Sequence, residues 1–340
     1  MRSDGDHLLG WATDSLVQLD RLAPGLIGRV LTASPKSRQA IFTVLATRLL
    51  IAQHDDALGR VHDGDDVNLA FVLREGRARE ILAYAFGGVA EGWLGALERL
   101  GGKPLGNLQA YVKLHTIFGA PKHRRKAEAL RHVGQITEKM LHLLDVLDER
   151  WVHAEALKRL PNVVAAKDFN QAVAFAQSVS SKATDEAVAM AIARLVPTTP
   201  LSAVVTRFVR RADRFPEHPV SGDDEIRPLT SARDFIGAAR RYRNCLAKEK
   251  LDEALAGQVA FAEFRGETIL ELRPLSLGKG WLLHDVHVPR NGFVDSELAE
   301  AARLKCETFG IPAVEPRDRG EAWRRYRRFV RNGGWLDQAA

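Results

Sequence analysis

The stretch QVAFAEFRGETILELR, Gln258 to Arg273, decides how the second half of this 340-residue chain folds. Runs rich in Val, Phe, Ile, Thr and Leu flank a Gly-Glu pair, and a glycine between two such runs signals a β-hairpin. With Gly266 and Glu267 as a two-residue type II′ loop, glycine takes the central position that needs positive φ. This turn predicts that Arg265 opposes Thr268, Glu263 opposes Leu270 and Phe261 opposes Leu272. One face then carries Val259, Phe261, Glu263, Leu270 and Leu272, with Glu263 the odd carboxylate in an apolar set. A carboxylate so placed either reaches solvent near the strand end or needs partners, which makes Glu263 a candidate catalytic residue.

Downstream, WLLHDVHVP from Trp281 to Pro289 supplies a third strand. Asp285 and His287 share one of its faces, while His284 falls with Leu282, Val286 and Val288 on the other. An Asp and a His two apart in a strand form a neighbouring acid–base pair, and the same spacing arises on a solvated face. On either side lie helices. TSARDFIGAARRYRNCL opens with a Thr or Ser cap, and DSELAEAARLKCETFG opens with Asp295 and closes at Gly310. The expected fold class is therefore α+β. Residues 230–340 form a C-terminal domain with a three-stranded or slightly larger antiparallel sheet flanked by helices, its strands confined to about 257–289.

Upstream, residues 1–214 read as an all-helical domain. Ser34 and Pro35 make a capped helix start, and QAIFTVLATRLLIAQ continues at helical spacing. Similar segments follow, separated by GGKPLGN, GAPKH, PN and PTTP, the pattern of an antiparallel helical array. The short matches ALERLGGKPL and ALKRLPNVV are too few to define a repeat. FPEHPVSGDDEIRPL, residues 215–229, combines three prolines with four acidic residues and reads as a linker.

The 46% hydrophobic and 27% charged fractions are those of a globular protein, which excludes disorder as the main state. No run approaches the roughly 18 apolar residues of a membrane span, and the N-terminus lacks a signal-peptide core, so a cytoplasmic location without a membrane partner is expected. Two cysteines, Cys245 and Cys306, are too few for a disulfide framework and read as free thiols. Cys245 lies beside Arg241 and Arg243, which would lower its pKa and favour the nucleophilic thiolate; the competing reading is a small apolar residue buried at a helix end. Cys245, Glu263, Asp285 and His287 are thus the candidate catalytic set. Neither HExxH nor paired CxxC occurs, so no metal site is expected, and the phosphate-loop, GxSxG and GxGxxG signatures that would imply a nucleotide cofactor or a common hydrolase are missing; the cofactor stays unknown.

From Arg241 to about Gly310 the residues run Arg243-Asn244-Cys245-Leu246, then Gly257, Phe261 and Phe264, then TILEL from Thr268 to Leu272, then Val286 and Asn291. This order resembles the C-terminal region of PcfJ-like proteins, a family of conjugative plasmids, phages and other mobile elements. There a short helix ends in a basic residue and a Cys, a strand with Phe or Ile follows, and a T-[LI]-E-[LI] strand comes next. Asn244 stands where that family usually has His, and HVPRN replaces its Gln-x-x-Gly. The resemblance implies a mobile-element context and partners among that element's proteins, with no assigned chemistry.

The net charge of +6 points to polyanionic partners. Basic residues gather at 122–131, at 207–214 and most densely at 317–331, RDRGEAWRRYRRFVR. In that last segment Arg317, Arg319, Arg324, Arg325, Arg327, Arg328 and Arg331 are interleaved with Trp323 and Tyr326, which would stack bases while the arginines hold phosphates; at helical spacing the same aromatics would dock on the protein body. Two classes of function are expected from the sequence: a PcfJ-like accessory protein that binds DNA or RNA, and an enzyme with a Cys, His and carboxylate site.

Overall fold

The structure, a computed structural model, describes residues 9–53, 66–244 and 246–313. The chain divides into two compact units, one of residues 1–177 with 182–207, the other of residues 178–181 with 208–340.

The described part of the first unit is helical. α1 (Thr13–Leu22), α2 (Leu26–Thr32), α3 (Pro35–Gln53), α4 (Asp66–Glu75), α5 (Ala78–Phe86), α6 (Trp93–Glu98) and α7 (Gln109–Gly119) are followed by α8 (Arg124–Arg131), α9 (Glu138–Val146) and α10 (Ala154–Arg159). α11 (Val163–Val179), α12 (Asp185–Ala193) and α13 (Ser202–Val209) complete the series. α3 starts at Pro35, as the Ser34-Pro35 pair predicts, and packs against α5, α6 and α7. Its middle is buried all round, from Ala40 to Ala46, as a helix at the centre of a bundle requires, and the one polar side chain there, Thr43, donates to the Gln39 carbonyl at 2.7 Å. The buried Gln39 is satisfied there, donating to the carbonyls of Gly101 and Lys103 at 2.9 and 2.6 Å and accepting from the Tyr111 hydroxyl at 2.9 Å.

The second unit is built on a four-stranded antiparallel meander, β1 (Ile226–Pro228), β2 (Ala260–Phe264), β3 (Thr268–Pro274) and β4 (Trp281–His287), in the order β1-β2-β3-β4. α14 (Ala232–Tyr242) and α15 (Leu251–Leu255) lie between β1 and β2 in sequence, and α16 (Ser296–Thr308) follows β4. β1 falls inside residues 215–229, so the stretch read as a linker supplies the sheet's first strand. Proline and acidic residues here blunt a sheet edge: Pro228 has no amide to offer, and the Ile226 amide and carbonyl are both engaged by Asp223.

The hairpin register also differs from the expected one. Phe264 pairs with Thr268, Glu263 with Ile269 and Phe261 with Glu271, leaving a three-residue loop of Arg265, Gly266 and Glu267. Arg265 and Gly266 both have positive φ, 51° and 69°. The longer loop is held from β1, because the Arg265 amide donates to the Glu225 carbonyl at 2.7 Å and its side chain donates to the Glu225 carboxylate at 2.9 and 2.7 Å. A one-residue slip turns every β3 side chain to the opposite face. Leu270 and Leu272 therefore join Ala260, Ala262 and Phe264 over Ala302 and Cys306 of α16, while Glu271 moves to the face of Glu263.

Candidate functional site

The second face is the site. α14 covers part of it, starting where the Ser231 hydroxyl accepts the Asp234 amide, with Phe235 set edge-on to Phe261 at 5.8 Å. Two cross-strand rows carry its polar groups: Glu263, Ile269 and His287 in one, Phe261, Glu271 and Asp285 in the next. A bulge between Glu271 and Leu272 shifts β4 by a residue without displacing Asp285 and His287 from this face.

Each buried carboxylate has its own partners. Glu263, 8% exposed, accepts from Arg241 Nη2 at 2.8 Å, Arg241 Nε at 3.3 Å and the Tyr242 hydroxyl at 2.9 Å. The burial of Tyr242 and its bond to Glu263 both raise its phenol pKa, which fixes the hydroxyl as donor. Glu271, 4% exposed, accepts Nε and Nη2 of Arg273 on Oε1, at 2.8 and 2.7 Å, and pairs through Oε2 with His287 Nε2 at 3.0 Å. Burial opposes ionisation of Glu271, but the hydrogen bonds from His287 and Arg273 and the charge of Lys250 outweigh it and bring its pKa down to about 2. For His287 the bond to Glu271 raises the pKa against burial, with help from the Asp285 charge.

Glu263, Asp285 and His287 thus share one face, as candidates of one site should. Asp285 does not hold His287: its Oδ1 accepts the Val286 amide at 2.8 Å, and the imidazole is bound by Glu271 instead. Arg273 and Tyr242 are partners that the sequence reading left out, and Glu271 lies outside the candidate catalytic set although its convergence with Glu263 and Asp285 is a test the sequence itself suggests. Glu271 and Arg273 follow from the TILELR run once the loop has three residues. Tyr242 carries no local signal, since only the tertiary fold sets it against Glu263.

Cys245 and the arginine-rich residues from Arg317 to Arg331, with Trp323 and Tyr326, lie outside the described residues. The chain on either side of Cys245 is irregular: α14 ends at Arg243 with φ 50°, Asn244 Oδ1 accepts the Leu246 amide at 3.2 Å, and Leu246–Lys250 forms a π-helical turn. Single π turns are rare and recur at functional sites. Cys306 is fully buried on the apolar face, and burial pushes its thiol up to about 11, so it is a core residue.

An open depression of about 500 Å³ reaches Glu263 and Arg241 from the β1 side, bordered by Asp223, Asp224, Arg227 and Arg265. Among the described residues no group of three or more His, Cys, Asp or Glu side chains is placed to hold a metal ion. No described helix is long and apolar enough to cross a membrane. Compared with known proteins, the chain matches no family model, no curated sequence and no solved structure.

Proposed function

We propose that this chain is a PcfJ-like accessory protein of a mobile element that binds nucleic acid through its basic clusters. The observation that carries this reading is a set of exposed cations without acidic partners. Lys122, Arg124 and Arg125 at the start of α8, and Arg207, Arg210 and Arg211 at the end of α13, are exposed and make no ion pair among the described residues. Other cations are held by carboxylates, as Arg150 is by Asp148 and Asp185 and Arg303 by Glu300 and Glu307. Unpaired guanidinium and ammonium groups offer a phosphate backbone charge-assisted hydrogen bonds. The sequence of residues 317–331 adds the densest cluster. Removing residues 317–340 is expected to weaken binding to a single-stranded oligonucleotide and flatten its dependence on salt, measured by fluorescence anisotropy. An intact protein that shows no salt-sensitive binding to DNA or RNA contradicts the reading.

A second reading, an enzyme, rests on His287. Glu271 fixes its Nε2, while Nδ1 makes no hydrogen bond among the described residues and the side chain is 29% exposed. An imidazole oriented in this way is suited to proton transfer. Under this reading His287→Gln abolishes turnover and leaves nucleic-acid affinity unchanged; full activity in that variant counts against it.

A further inference from the structure

Three described residues other than glycine have positive φ, and all are arginines of the C-terminal unit: Arg243 at 50°, Arg265 at 51° and Arg290 at 59°. A side chain in this region crowds its own backbone, so glycine is the residue such positions favour. For Arg265 the compensation is visible in its fork onto Glu225 and in its guanidinium, 4.9 Å from the centre of the Phe264 ring. At Arg243 the compensation lies in the backbone, which caps α14 with its amide donating to the Ala239 carbonyl, but the side chains of Arg243 and Arg290 have none. Both are exposed, and neither side chain makes an ion pair or hydrogen bond among the described residues.

The fold brings these two to one end of the sheet. Arg243 directly follows Tyr242, whose hydroxyl reaches Glu263. Arg290 sits in the turn Pro289–Asn291 that leaves β4 just beyond His287, and His287 shares a cross-strand row with Glu263. That turn packs against α14. Like charges on neighbouring elements repel, and strained backbone persists where the surroundings or a ligand give something in return. A tetrahedral phosphate accepts from two guanidinium groups at once and would offset both terms.

We propose that Arg243 and Arg290 form a phosphate clamp that receives a backbone phosphate of a bound nucleic-acid strand. The nucleic-acid source rests on the function proposed above; the clamp itself rests on the two arginines.

The test is the full-length double variant Arg243→Gly with Arg290→Gly. Glycine relieves positive φ, so Tm should rise by roughly a few degrees. Affinity for a fluorescent single-stranded oligonucleotide should fall by about tenfold, and the slope of log K against log salt should become shallower by roughly 1.4, for two lost phosphate contacts at about 0.7 each. In the wild type, inorganic phosphate should shift the Nε resonances of Arg243 and Arg290. If oligonucleotide affinity and salt slope are unchanged in the variant, or if phosphate leaves both resonances in place, the clamp is overturned. If phosphate shifts them but no oligonucleotide binds, the clamp stands and the nucleic-acid reading fails.

Discussion

The two faces of the C-terminal sheet are built from alternate residues of the same strands, yet they differ in kind. Toward α16, Ala260, Ala262, Phe264, Leu270 and Leu272 form a dry core with Cys306. Toward α14, Phe261 and Ile269 share the surface with Glu263, Glu271, Asp285 and His287. The apolar face gains stability from area removed from water, which is non-directional. On the polar face, two buried carboxylates would be strongly unfavourable unless each met fixed donors, and Arg241, Tyr242, Arg273 and His287 are those donors. One face can be read as a core that any well-packed apolar set would fill. The other depends on particular pairs.

Substitutions should separate the faces. Phe264→Ala, in a fully buried position, is expected to lower unfolding free energy by about 3–5 kcal/mol. Glu263→Gln keeps the shape and leaves Arg241, already half exposed, to be solvated, so its effect should be roughly 1–2 kcal/mol. Chemical denaturation measures both. A larger loss at Glu263 than at Phe264 would break the distinction.

A smaller effect should appear in the pH dependence of stability. His287 has a raised pKa in the fold, so its contribution is complete below the ordinary value of 6.5 and is lost as pH rises through the folded value. Glu271 is shifted the other way. Its contribution is complete above the ordinary value of 4.5 and is lost as pH falls toward about 2. Both are therefore in place between these ordinary values, and stability should decline on the alkaline side of the His287 transition. In Glu271→Gln that alkaline decline should largely disappear, as read from denaturation midpoints across pH; an identical profile in the two proteins would remove Glu271 as its cause.

How far this was legible in the sequence depends on the range of each signal. The α+β class and a hairpin turn at Gly266 are local signals, and each is present in the fold, the turn one residue longer than expected. Glu263 was legible as an odd carboxylate in a strand. Its neighbour Glu271 was not, because a two-residue loop and a three-residue loop place the β3 side chains on opposite faces, and the longer one is stabilised by Glu225, remote in sequence. The same distance hid β1: a Pro-rich, acidic stretch has no strand periodicity, and only pairing with β2 makes Ile226–Pro228 a strand. His287 was found by residue type, with Asp285 as its expected partner. Cross-strand pairing substituted Glu271.

The central claim is that the polar face is held by specific charge pairs, and the Glu271–His287 contact is where it is most exposed to test. A ¹⁵N NMR titration of the His287 ring in wild type and in Glu271→Gln measures it directly. The account predicts a wild-type pKa above the ordinary 6.5 and a clear fall in the variant, where burial would then act with less opposition. The same His287 pKa in both proteins would contradict it.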